Sequence, residues 1–362
     1  MDTHLQDKPD TFLIVGSYTE TLPHVVGKGM GISVLRMDGG DGSLSPVSSL
    51  SGLRNPTYLS LSNDGNMLYA VEEIAHAEGA GARALRFDRE VGTLVEVAKV
   101  SAHGDCPCHV ATDHSGRRLF ISNYVSGNLA AYALDEAGVP TGDAVDIRRS
   151  GSGPNRDRQE GPHLHQATAT PGNAHVLVCD AGTDEIARYP LGDVLIGIDP
   201  DLVVKTRPGG LPRHLVFAQN GKHVFVVEEL GCSVSTYSYD GQGIGFLSEV
   251  STLPDGFDGD CACAAIRLHP NGRFLYASNR GPDTIAAFEI VGSEGLLKPV
   301  GFYPTLGRIP RDFAIDPTGR FLVAANQDSH SLVVFAIDQQ TGALAPTGQS
   351  FETGSPVCLV FA

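Results

Sequence analysis

Five short stretches of the chain carry residue types suited to acid–base chemistry on an anionic substrate. Residues 162–165 read Pro-His-Leu-His, residues 212–214 read Pro-Arg-His, Glu228 and Glu229 are adjacent, Arg280 follows Asn279, and residues 310–312 read Pro-Arg-Asp. Imidazole and carboxylate groups move protons, a contribution of ~10²–10⁴-fold when they reach a reacting bond. Guanidinium groups are planar forks that match carboxylate or phosphate and stabilise a developing oxyanion. The loop that precedes His165, DIRRSGSGPNRDRQEGPHLH, adds Arg148, Arg149, Arg156 and Arg158, so an anion can be held there.

Such residues act together only if the fold brings them to one place, and a repeat supplies the means. A unit recurs about every 50 residues: Pro, apolar positions, a glycine turn, an apolar strand ending in polar residues, then a further alternating strand. The turn glycines are Gly65, Gly116, Gly172, Gly221, Gly272 and Gly319. The fourth copy predicts strands over 214–218, 223–228, 233–238 and 245–252, with Asn220-Gly221 and Asp240-Gly241 as two-residue hairpin turns whose central positions both take positive φ. Four antiparallel strands per copy make a propeller blade. Six copies leave TFLIVGSYT, GISVLRMD and LSPVSSL at one end and SPVCLVFA at the other. Joined, these form a seventh blade, with 356–362 as its innermost strand beside 12–18. The expected fold is therefore all-β, a seven-bladed β-propeller closed by its C-terminal strand, with residues 1–10 as a polar tail and 11–362 as a single domain.

Composition agrees. The chain has 362 residues, 43 glycines and 22 prolines, which favours short strands and tight turns over long helices. The formal net charge of −16, with no basic block, argues against a nucleic-acid partner. Positive charge for an anionic substrate must then be gathered locally. The N-terminal MDTHLQDKPD is polar, and the apolar run after it is too short for a signal sequence or a membrane span, so a cytoplasmic location and no membrane partner are expected. Seven cysteines in that setting read as free thiols. Cys106/Cys108 and Cys261/Cys263 are each Cys-x-Cys, a poor spacing for structural zinc, so neither metal nor cofactor is expected. Oligomeric state is not legible.

The first strand of each blade lines the channel and the second returns antiparallel, so the start of one and the end of the other share a rim. With the turn glycines as register marks, Tyr58, His109, His165, His214, Ala265 and Asp312 stand seven residues before the turn. Thr57, Cys108, Leu164, Arg213, Ala264 and Arg311 stand one further back, and Glu73, Tyr124, Asp180, Glu229, Arg280 and Gln327 stand eight after. One rim thus collects histidines, arginines and carboxylates. His109 and His214 suit bonding to neighbouring backbone as well as contact with substrate. Arg213, Arg280 and Arg311 can pair with Glu229, Glu73 and Asp312, yet three arginines exceed what pairing requires.

The runs GPHLH, LPRHLVF with VEEL, AAIRLHPNGRFLYASNR and IPRDFAIDPTGRFLVAANQDSHSLVVF, with GSYTET near the start, resemble the seven-bladed propeller lactonase family, which includes bacterial 6-phosphogluconolactonases and, more distantly, carboxymuconate lactonising enzymes. The resemblance implies hydrolysis of a sugar lactone, 6-phosphogluconolactone first among the candidates, with His165, Arg213, Glu229 and Arg280 as catalytic residues. Arg158 enters from the matching loop form, and His163, His214, Arg311, Glu73 and His109 are candidate substrate contacts. Cys261-Ala-Cys263 and the doubled acid at Glu228 depart from the family pattern. Ionised Glu229 suits the role of base, with charged His165 as proton donor, or the roles reverse. Two rivals remain: a cycloisomerase that opens or closes a lactone without water, and a non-catalytic propeller that binds a partner. The latter is disfavoured by a charged rim and the absence of Trp.

Overall fold

The computed structural model describes residues 10–192 and 195–362. The first nine residues of the expected polar tail lie outside the described part. Seven four-stranded antiparallel sheets follow one another, with one extra two-stranded hairpin over 21–26. The inner strands are Leu59–Leu61, Pro107–Thr112, Leu164–Ala169, Pro212–Phe217, Ala262–Leu268, Pro310–Ile315 and Pro356–Phe361, which number blades one to seven. Each packs against the next, and the seventh against the first, so the sheets form a closed ring.

Burial explains the strand sequences. Second strands are sandwiched between neighbouring blades and read as continuous apolar runs; His223–Glu228 is buried at every position. Outer strands such as Thr93–Ser101 are half-buried or exposed throughout. Small residues on second and third strands (Ala130, Ala131, Ala286, Ala287, Ala324 and Ala325) are buried where neighbouring blades pack.

The inner hairpins differ from the expected two-residue form. Gly221 alone takes positive φ, +68°, and its N–H bonds the Ala218 carbonyl at 2.8 Å, closing a longer turn with Asn220 outside the left-handed region. In blade three Asn173, not Gly172, takes the left-handed position, with φ +54°. Asn tolerates that conformation better than other residues with a Cβ.

Ring closure is as the incomplete end copies imply. Pro356–Phe361 pairs antiparallel with Thr11–Ser17, matching Leu13 with Phe361 and Val15 with Leu359. The Leu359 N–H also bonds Asp312 of blade six at 2.9 Å. Asp312 in turn pairs with Arg267 of blade five at 2.7 Å, so the expected Arg311–Asp312 pairing is replaced by one that ties blades five, six and seven. Closure depends on a short strand with few buried side chains, Leu359 among them at 3% exposure. Leu359→Ala is expected to cost ~2–5 kcal/mol of unfolding free energy, measured by urea titration; a loss below ~1 kcal/mol would show that closure does not rest on this strand.

Candidate active site

Every inner strand from blade two to blade six is interrupted at its start by a β-bulge. Pairing with the second strand skips Cys108, His165, Arg213, Ala264–Ala265 and Arg311. A bulge leaves its extra residue unpaired and re-aims the side chain. Here it turns His165, Arg213 and Arg311 toward the mouth. The residue at the end of each second strand completes the rim: Tyr18, Glu73, Tyr124, Ala181, Glu229 and Gln327 just beyond it, and Arg280 as its last residue. This corrects the register in blade three. Because Asn173 is the true turn mark, His165 aligns with Arg213 rather than His214, and Ala181 rather than Asp180 faces the mouth.

Glu229 is the centre of the rim. Its Oε1 accepts from Arg158 Nη2 at 2.8 Å and lies 3.3 Å from Arg280 Nη2, while Oε2 is 3.4 Å from Arg213 Nε. Arg158 also donates to the Tyr124 hydroxyl at 3.2 Å. Arg280 is braced by the Ala262 and Cys263 carbonyls at 3.2 and 2.8 Å, and Arg213 by the Ala264 carbonyl. Burial alone would raise the Glu229 carboxyl, but Arg280, Arg213 and Arg158 outweigh it and hold it well below the usual range. Burial, with Arg280 and Arg311 close by, lowers Arg213 to about 10. Across the mouth Glu73 accepts from the Tyr18 hydroxyl at 3.0 Å and from Thr57. Arg311 lies over the Tyr18 ring at 5.5 Å and, among the described residues, pairs with no carboxylate.

From His165 at the rim a cluster of imidazoles continues into the channel. The His165 ring is 5.0 Å from that of His214, which is 5.7 Å from that of His109; Tyr58 packs against His109 at 4.3 Å with the rings tilted by 38°. Burial is the first cause and nearby arginines the second of a downward shift in all three: His109 falls to about 3, and His165 and His214 fall well below the ordinary 6.5. His165 is therefore uncharged near neutrality. The expected role of a charged His165 as proton donor does not fit this resting state; a neutral imidazole is a proton acceptor.

The geometry sorts the candidate residues into three groups. His165, Glu229, Arg213, Arg280, Arg158, Arg311 and Glu73 meet at the mouth. His109 and His214 sit below it, each with a buried ring nitrogen lacking a hydrogen-bond partner, so neither serves as the backbone anchor considered for it. His163 stands apart: its ring stacks on Tyr124 at 4.5 Å and its Nδ1 bonds the Tyr124 carbonyl at 2.8 Å, which makes it a brace for that tyrosine. Of the loop arginines only Arg158 reaches the site; Arg149 is tied to Asp180 and Glu185, and Arg148 to Asp146. Tyr18 and His24, whose Nε2 is 3.3 Å from the Tyr18 hydroxyl, were not singled out. The hairpin that carries His24 has no counterpart in the other blades, so no repeat position marks it. The other end of the channel opens as a cavity of about 510 Å³ that includes Thr112, His114, Gln166 and Arg267, but its guanidinium is already neutralised by Asp312. Cys232 and Cys261 are bonded as a disulfide, which corrects the expectation of free thiols throughout; the other five cysteines are free. Among the described residues no helix is long and apolar enough to cross a membrane.

A closed ring of seven four-stranded blades agrees with the sequence model of the lactonase, 7-bladed β-propeller family, which matches residues 12–361. The chain belongs to that family. It is 34% identical over 309 residues to a 6-phosphogluconolactonase of Formosa agariphila, covering 84% of this chain and 86% of the relative. A 6-phosphogluconolactonase of Bacillus subtilis is 33% identical, covering 83% and 84%. The solved structure of the periplasmic gluconolactonase of Pseudomonas aeruginosa superposes with a TM-score of 0.91 at 32% identity, covering 98% of this chain and 99% of that one.

Glu228 has a different part from its neighbour. At the same position, one before the rim residue, Asn123, Asn279 and Asn326 each donate a side-chain amide to the carbonyl just past an outer strand: Ala102, Thr252 and Thr305, at 2.7, 2.8 and 3.2 Å. A carboxylate has no proton to donate there. Glu228 is fully buried with neither oxygen bonded, and burial, with Asp184 and Glu249 nearby, raises it to about 8. The folded chain thus binds a proton that the unfolded chain has lost above the ordinary 4.5. Stability from this group is complete below that value and lost as pH rises through about 8. Glu228→Gln supplies a permanent donor, and its melting temperature is expected to exceed wild type by more at pH 8.5 than at pH 5; an equal or reversed difference would show the carboxyl to be ionised and satisfied.

Proposed function

We propose that the protein hydrolyses a sugar lactone bearing an anionic group, without a metal or other cofactor, at the arginine-rich mouth of the channel. The observation that carries this reading is the convergence of Arg158, Arg213 and Arg280 on Glu229 beside an uncharged His165. The 6-phosphogluconolactonase relatives make 6-phosphogluconolactone the first substrate to test, and the Pseudomonas gluconolactonase makes unphosphorylated gluconolactone the second.

In this mechanism neutral His165 accepts a proton from water as it attacks the lactone carbonyl. The imidazolium so formed is stabilised by the Glu229 carboxylate and returns the proton to the departing ring oxygen. Arg213 and Arg280, fixed by backbone carbonyls, face the developing oxyanion, where preorganised donors are worth most. Four guanidinium charges (Arg158, Arg213, Arg280 and Arg311) against two carboxylates (Glu229 and Glu73) leave the rim net positive, so a phosphate or carboxylate on the substrate has a counter-charge waiting. Arg158, from a loop, and Arg311, without a carboxylate partner, are the two free to adapt to it.

His165→Asn is expected to lower kcat by ~10²-fold or more, as is Glu229→Gln. Because Glu229 neutralises three arginines, the Gln variant should also melt lower than wild type. A base whose titration lies well below 6.5 stays competent through neutrality, so kcat should be level from pH 8 to pH 6; an inflection at the ordinary histidine value would assign the base elsewhere. Arg158→Ala and Arg311→Ala should each weaken kcat/KM by ~10–100-fold for the phosphorylated lactone and much less for the neutral one. Equal losses on both would place these arginines at the oxyanion or in the fold. Turnover should survive prolonged chelation, and NMR of the product distinguishes added water from isomerisation.

A further inference from the structure

The turn that follows each second strand at the mouth carries a residue with φ near +50° to +60° at the same position: Gly127, Asp184, Cys232, Asp283 and His330 in blades two to six. In three of these blades its side chain fastens the approach segment, the stretch leading into the inner strand of the next blade. Asp184 accepts from the N–H groups of Gly209 and Leu211 at 2.6 and 3.0 Å. Asp283 accepts from Ile309 at 2.8 Å, and His330 Nδ1 from Ser355 at 3.2 Å. Blade four has Cys232 at this position, and its partner in the approach to blade five is Cys261, with Cα atoms 6.4 Å apart. The fastening that other blades make with a hydrogen bond is here made by a bond that depends on oxidation.

We infer that Cys232 and Cys261 form a reversible thiol–disulfide site, exchanging with a small or protein disulfide–dithiol partner, that fastens the junction of blades four and five beside the active-site rim. Oxidation removes two electrons and two protons from the two thiols and forms one S–S bond, while the partner disulfide is reduced to two thiols; a dithiol reverses the exchange. Cys261 is half-buried at the end of a loop whose residues 254–260 are exposed, so a partner can reach its sulfur. Cys263 is the third sulfur of the group, all three lying within 4.8 Å. It is fully buried against Thr252 and Asn279, each at 3.2 Å, and burial raises it to about 12, so it stays a thiol and a bystander.

The junction matters because it holds the rim. The Cys263 N–H donates to the Glu229 carbonyl at 2.8 Å, and the Cys263 carbonyl accepts from Arg280 at 2.8 Å. Loosening the approach segment therefore loosens the backbone that positions Glu229 and Arg280. A free thiol at Cys232 is a weak hydrogen-bonding group and cannot replace Asp184 or Asp283 in kind.

The test uses the full chain equilibrated in glutathione buffers of graded ratio, then alkylated and weighed. Oxidised protein should show five alkylated cysteines and reduced protein seven. Reduction should raise the rate of proteolytic cleavage within 254–260 by ~10-fold and lower the melting temperature by about 3–5 °C. Cys232→Ser should match reduced protein in any buffer, whereas Cys232→Asp, which installs the side chain of blades three and five, should keep the loop resistant under reductant. These readouts do not require lactone turnover, so they stand apart from the proposed activity. The inference is overturned if both thiols alkylate at every ratio, or if the bond forms without changing cleavage or melting. It is equally overturned if Cys232→Asp is as labile as Cys232→Ser, or if reduced protein holds one zinc ion whose removal, rather than oxidation state, controls the loop.

Discussion

Seven strands that meet on one axis leave little room, and each inner strand can present few side chains at the mouth. The bulge at the start of the inner strands decides which. By adding one unpaired residue it separates two adjacent side chains: in blade four Arg213 turns to the rim while His214 stays in the channel. The Pro-Arg-His and Pro-Arg-Asp stretches are thus pairs with divided labour, one residue for the site and one for the ring, as Arg311 and Asp312 also illustrate. The candidate site residues at the rim come from five blades and one loop, so they meet only when the ring is closed.

Electrostatics at the rim follow from that crowding. Arg158, Arg213 and Arg280 are brought close enough to repel one another, and Glu229 is the counter-charge that makes the arrangement tolerable. A chain with a net charge of −16 thereby keeps a local cationic centre. Backbone carbonyls add to the restraint on Arg213 and Arg280, which makes these two rigid and leaves Arg158 and Arg311 less constrained.

The ring and its closure were legible because blades repeat: glycine turns at near-constant intervals count six copies, and the unmatched ends at Phe12 and Val357 supply the seventh. The rim residues followed from the same register, but the register slipped where Asn173 does the work of glycine, and it put Asp180 in the place of Ala181. Bulges leave no mark in residue type, so the difference between His165 and His214 was hidden. His163 was drawn into the site by its nearness in sequence to His165, although the intervening residue turns its ring onto Tyr124. Arg149 looked like its loop neighbour Arg158 until Asp180 and Glu185 claimed it. The Cys232–Cys261 bond is hidden in the sequence because local spacing marks Cys-x-Cys pairs, whereas these partners stand 29 residues apart at the junction of successive blades.

The imidazole layer has a consequence for the range of conditions in which this fold persists. Below about pH 6.5 the unfolded chain takes up protons on His109, His165 and His214 that the folded ring, with all three sites desolvated, refuses. Three protons of difference steepen the decline of stability by about 4 kcal/mol for each pH unit of acidification. Native stabilities are of the order of 5–15 kcal/mol, which that slope would offset over about one to four units. Desolvated imidazoles in the channel thus make acidification a load on the closed ring itself, because protons bound by these three side chains favour the open chain.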